Sequence, residues 1–127
     1  MAEPDEVDAL YQRVAAELPC LSSAQALSVA ASVTRLVGAL RPLQIYAFGS
    51  QARGTATDQS DVDLLVVVPE SDLPGYRRDQ QAYIAVGDHD VPLDILTLTS
   101  AEFKAKLDSP ASLPATVVRE GRLLYAA

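Results

Sequence analysis

Cysteine, histidine, aromatic residues and basic charge are all scarce in this chain. The single cysteine, Cys20, excludes an internal disulfide and fits a reducing compartment, so a cytoplasmic protein is expected. No apolar run approaches the length needed to cross a membrane. The opening Met1-Ala2-Glu3-Pro4-Asp5-Glu6 is acidic, unlike a secretory signal. Ten lysines and arginines face seventeen aspartates and glutamates, a net charge of −7. Tight nucleic-acid binding relies on basic side chains against phosphate, so nucleic acid is not the expected partner. The acidic balance suits a basic partner or a small metal-chelated substrate. Aromatics make up 6%, and much of the 49% hydrophobic content is alanine. The length of 127 residues suits one domain with a modest core.

What the chain does carry is concentrated in F-G-S-Q-A-R-G-T-A-T-D-Q-S-D-V-D-L-L-V-V-V, from Phe48 to Val68. Leu64-Leu65-Val66-Val67-Val68, bounded by Pro69, reads as a buried strand. Asp61 and Asp63 open it and, by strand alternation, point the same way while Val62 points the other. Two carboxylates on one face repel; either one pKa rises or a cation relieves the pair. Mg²⁺ binds through a few carboxylates plus substrate phosphates. Upstream, Ile45-Tyr46-Ala47-Phe48 reads as a strand that Gly49-Ser50 ends. Glycine lets backbone approach a phosphate closely. A helical turn from Ser50 through Arg53 would offer free N–H groups and a hydroxyl to an anion, with Gly54 closing it. Arg53 would either add positive charge to the phosphates or pair with a nearby aspartate. Asp94, inside Val91-Pro92-Leu93-Asp94-Ile95-Leu96-Thr97-Leu98, is the candidate third carboxylate, since an aspartate in an apolar strand needs a partner or a metal. Three such acids would complete a two-metal site that orients the attacking oxygen and stabilises the leaving one.

Around this stretch the pattern predicts a helix from about Pro4 to Leu18, with acids in its first turn, and a second from Ser22 or Ser23 to Leu40, ended by Pro42. Leu27, Ala30, Val33, Leu36, Val37 and Leu40 are its expected inward residues. A strand follows over 43–48, then the glycine turn and the D-x-D strand. A helix over 76–86 places Tyr76, Gln80, Tyr83 and Ile84 on one side. The Asp94 strand comes next, then a helix that Ser100 caps, a short helix around Pro114 with Gly121 as its C-cap, and a final strand over 122–125. The expected fold is α/β: a small mixed sheet of three to four strands flanked by helices. Residues 1–127 form the one expected domain, divided into N-terminal helices over 1–42 and a catalytic core over 43–127. The N-terminal helices are either a layer of this unit or an arm that binds a partner.

The combination of G-S, spacer, D-x-D and a later acid resembles the nucleotidyltransferase superfamily related to DNA polymerase beta. The form F-G-S-Q-A-R-G-(x5)-S-D-V-D-L is most similar to the minimal nucleotidyltransferase (MNT) proteins, from about Ile45 to Leu98, and the tail from Ser109 to Tyr125 looks like the end of that family. The resemblance implies a polymerase beta-like palm. It implies that Gly49 and Ser50 hold the triphosphate of ATP, that Asp61, Asp63 and Asp94 bind Mg²⁺ as two ions, and that Asp94 is general base. It further implies a setting in which MNT proteins are antitoxins of HEPN RNase toxins and transfer AMP from ATP onto a tyrosine of the partner, as a hetero-oligomer or a homo-oligomer. Two other functions stay open: nucleotidyl transfer to a small-molecule hydroxyl, and a non-catalytic module that neutralises a toxin by contact.

Each residue also has a plainer reading. Thr57, Asp58, Ser60 and Asp61 suit a solvated turn, and Pro92 suits an exposed edge for Asp94. His89, among Gly87, Asp88 and Asp90, reads as a loop residue. Arg77-Arg78 read as a solvated helix face and Cys20 as a small packed residue. Tyr11, Tyr46, Tyr83 and Tyr125 read as core or interface rather than as acceptors, with self-modification left open.

Overall fold

In a computed structural model, residues 4–57 and 60–127 are described, with side chains from Val7 onward. Pro4 is where α1 (Pro4–Glu17) starts; the side chains of Asp5 and Glu6, the segment Met1–Glu3 and Asp58 of the expected turn lie outside the described residues. Then come α2 (Ser23–Leu40), β1 (Gln44–Phe48), α3 (Gly49–Arg53), β2 (Val62–Val68), α4 (Gly75–Val86), β3 (Leu93–Thr99), α5 (Ser100–Ala105), α6 (Leu113–Glu120) and β4 (Arg122–Ala126). The strands form one mixed sheet of order β3-β2-β1-β4, with β2 parallel to β3 and the other neighbours antiparallel.

Strand alternation sorts the apolar residues onto two faces. Val62, Leu64 and Val66 join Ile45 and Ala47 against Val14 of α1, Leu18 just after it, Val29, Val33 and Leu36 of α2, and Ala82 and Val86 of α4. The N-terminal helices are therefore a layer of the main core. Leu65 and Val67 face the other way, onto Phe103 of α5 and Val117 of α6, with Tyr46, Phe48 and Leu98 alongside. Tyr46 stacks on Phe103 with ring centroids 6.0 Å apart.

The ends of the helices follow local chemistry. Ser22 and Gln25 form a capping box at α2. At α5 the cap is Thr99, not Ser100: Thr99 Oγ1 accepts from Glu102 N, and Glu102 returns a bond to Thr99 N. Gly121 caps α6 as expected, in extended backbone (φ −77°), with its N–H donating to Val117 O at 2.7 Å. Glycine is needed there for space, because a Cβ would come within 2.5 Å of Val117 O and 3.0 Å of Ala47 O.

Three side chains depart from the expectation. Leu27 points outward from α2. Cys20 is exposed, since Pro19 stops α1 and leaves it in a turn rather than in the core. Arg78 is buried rather than solvated: it donates to Leu73 O at 2.9 Å and to Glu102 Oε1 at 2.6 Å, tying α4 to its leading loop and to α5. A helical stripe does not reveal this, because the partner acid is 24 positions away.

The outer edge of β3 is sealed from α4. Asp79 Oδ1 accepts from Thr97 N at 2.8 Å and from Thr97 Oγ1 at 2.7 Å, while Tyr83 Oη accepts from Ile95 N at 2.8 Å. Residues four apart on a helix share a face, and residues two apart on a strand share an edge, so the pairs match.

Glu102 gives the fold an acid-sensitive joint. The Thr99 backbone N–H, and then the Arg78 guanidinium, hold its carboxyl below the usual glutamate range. A depressed acid stabilises the folded state above its unfolded pKa and loses that contribution as pH falls through the folded value. Denaturant titrations of wild type should therefore show stability falling between about pH 5 and pH 3, and Glu102→Gln should flatten that fall.

Candidate active site

Register brings the expected residues to one end of the sheet. Phe48 pairs with Asp63 across the antiparallel β1–β2 ladder, and Asp63 pairs with Asp94 across the parallel β2–β3 ladder. The chain leaves β1 directly into α3, so Gly49, Ser50 and Arg53 stand at the same end as the acids. Asp61 lies just before β2. Val62 is fully buried on the α1–α2 face, so Asp61 and Asp63 belong to the opposite one. That face is covered by α5 and α6 farther along the strands and is open here: Asp94 is exposed, and Leu96 beyond it is 37% exposed.

Gly49 has φ +75°, in the left-handed region. Its missing side chain matters as much as its backbone, because a Cβ would collide with Asp63 Oδ2. The helical turn therefore packs directly on the carboxylate. Gly54, also left-handed, closes α3 by donating to Gln51 O and Ser50 O. Thr57 and Ser60 bond each other in the connection to β2, with Ser60 N donating to Thr57 O at 3.0 Å.

The electrostatics centre on Asp63. Burial raises its pKa, the charges of Asp94 and then Asp61 raise it further, and Arg53 lowers it. Two other carboxylates and one guanidinium thus act on this one carboxyl. Arg53 is exposed, and its charge lowers the pKa of Asp63. The desolvation argument made for Asp94 belongs to Asp63: Asp94 sits exposed on edge strand β3, as Pro92 suggests, and Asp63 is the half-buried acid.

Among the described residues, no three His, Cys, Asp or Glu side chains close into a metal cage. The donors nonetheless suit a hard divalent cation. They are all carboxylate oxygens, they crowd one another at Asp63, and Mg²⁺ takes most of its remaining ligands from water and phosphate. His89 stays in its own turn, with Nδ1 2.8 Å from Gly87 O.

The sequence reads Tyr83 as part of the stripe on α4 and as core or interface; it is in fact 40% exposed. Its hydroxyl donates to Asp94 Oδ1 at 3.4 Å while accepting from Ile95 N. The signal that could have found it is the Asp79–Tyr83 spacing, which matches the outward N–H groups of an edge strand.

A mixed sheet with D-x-D at one strand end, a third acid beside it and a glycine turn against the first pair defines a nucleotidyltransferase. The model of the Nucleotidyltransferase domain family matches residues 30–123, and the chain belongs to that family. The expected α/β fold and nucleotidyltransferase class hold. A search of curated proteins returns no match. Among solved structures, the chain is similar to a candidate nucleotidyltransferase from Sulfolobus solfataricus, with 18% identity and a TM-score of 0.57 over 99% of this chain and 92% of that one. A toxin–antitoxin structure with AMP-PNP aligns over 76% of this chain and 72% of that one, with 23% identity and a TM-score of 0.48. No helix among the described residues is long and apolar enough to cross a membrane.

The crowding at Asp63 is a stability cost in the metal-free protein. A raised acid weakens the fold as pH climbs from its unfolded to its folded pKa. Asp63→Asn should therefore raise the melting temperature at neutral pH, by an amount worth up to about 1 kcal/mol given partial solvent screening. Gly49→Ala should do the reverse, losing about 1–2 kcal/mol or more to left-handed strain and to displacement of Asp63. Calorimetry on the two variants distinguishes these opposite signs.

Proposed function

We propose that this chain is a Mg²⁺-dependent adenylyltransferase that moves AMP from ATP onto a tyrosine hydroxyl of a partner protein, as the MNT antitoxin of a HEPN RNase toxin. The observation that carries the reading is the alignment of Asp63 with Asp94 on adjacent parallel strands, with Gly49 packed against Asp63. The MNT form of the motif, from Phe48 to Leu64, supplies the choice within the family.

In this reading Gly49 and Ser50 hold the triphosphate, with Arg53 as the neighbouring positive charge. Asp61, Asp63 and Asp94 would hold two Mg²⁺ ions. Magnesium, when bound, neutralises phosphate charge and relieves the repulsion among these acids. Asp94 receives the proton of the acceptor hydroxyl. Most of the acceleration comes from positioning and charge placement.

The surroundings of the acids favour a protein acceptor. A cleft of about 910 Å³ lies between α1, α2 and β4, lined by residues such as Leu10, Arg13, Val37 and Leu123, and the acids are not among its walls. Beside half-buried Asp63, exposed Asp94 and Leu96 leave room for an acceptor residue carried on another protein.

The test is intact mass of the protein encoded next to this chain in the genome, after incubation with ATP and Mg²⁺. Wild type should add whole AMP units and Asp61→Asn none. A stable complex without added mass would instead support neutralisation by contact. Absence of both mass and complex would turn the search to small-molecule hydroxyls.

A further inference from the structure

We propose that Tyr83 is an AMP acceptor within the chain itself, so that the protein adenylylates its own α4 as well as its partner; this rests on the adenylyl-transfer reading above. Tyr83 is 40% exposed, and its hydroxyl touches the carboxylate assigned to take the acceptor proton. Asp94, in turn, is the strand neighbour of Asp63. The phenol therefore lies one carboxylate away from the pair assigned to the metal-bound triphosphate.

No other tyrosine has this placement. Tyr11 and Tyr125 pack against the main core and Tyr46 against the smaller one. Tyr76 is 64% exposed but lies about two helical turns before Tyr83. Edge sealing accounts for the bond from Ile95 N, as Asp79 does for Thr97 N without a tyrosine. It does not account for the bond to Asp94.

The step is balanced with ATP as co-reactant. Tyr83 Oη forms a bond to the α-phosphorus, the bond from that phosphorus to the bridging oxygen breaks, and pyrophosphate leaves with the electron pair. The phenolic proton passes to Asp94. The product is AMP-tyrosine at position 83, which no longer bonds Asp94.

Intact mass and peptide mapping of the chain incubated alone with ATP and Mg²⁺ should show one added AMP on Tyr83. The addition should persist in Tyr76→Phe and vanish in Tyr83→Phe and Asp63→Asn. Hydrogen exchange without ATP or Mg²⁺ is the independent readout: Tyr83→Phe should accelerate exchange at Ile95 N, which loses its acceptor. Addition at another residue, addition that survives Tyr83→Phe, or unchanged Ile95 exchange would overturn the proposal. A chain that labels its neighbour protein but stays unmodified would overturn self-modification and leave the transferase reading intact. A chain that labels neither would overturn both.

Discussion

Like-charge crowding at Asp63 is the constraint around which the rest is arranged. A half-buried carboxylate with two more carboxylates acting on it is an unfavourable thing to build. It persists because the sheet fixes it. Its strand is the second of four, hydrogen-bonded on both sides, so Asp63 cannot move away from Asp94 without breaking a ladder. Val62 and Leu64, fully buried on either side of it, fix which way it faces. Folded proteins keep such local conflicts mainly where function needs them.

The division of labour between the two faces follows. The helices α1, α2 and α4 bury the larger set of apolar side chains and anchor the sheet. The short α5 and α6 cover only part of the other face. The uncovered end is where the acids stand, so the smaller core defines the site by stopping short of it. Gly49 completes the arrangement by letting the helical turn after β1 approach the carboxylate directly.

Much of this was legible in the sequence because it depends on local signals. Valine runs, the two-residue repeat, prolines and the Gly49-Ser50 turn mark the strands, the D-x-D pair and the α3 turn without reference to anything distant. What was not legible depends on which elements end up adjacent. Arg78 looks solvated until α5 supplies Glu102. Asp94 looks like the acid in need of rescue until the strand order puts it on an edge and Asp63 inside. Tyr83 is one residue of an exposed stripe until β3 passes beneath it. Gly121 is legible as a C-cap, but only the approach of Ala47 O shows that it also conserves space.

The side chains that seal β3 have a consequence for assembly. An unsealed edge strand invites another chain to continue the sheet. With Ile95 N and Thr97 N already occupied by α4, that route is closed on the side of the sheet that carries Asp94. Whatever docks there must recognise side chains rather than borrow backbone. Its specificity is then set by surface chemistry and shape, and the sheet beside the acids keeps a fixed width whether or not a partner is present.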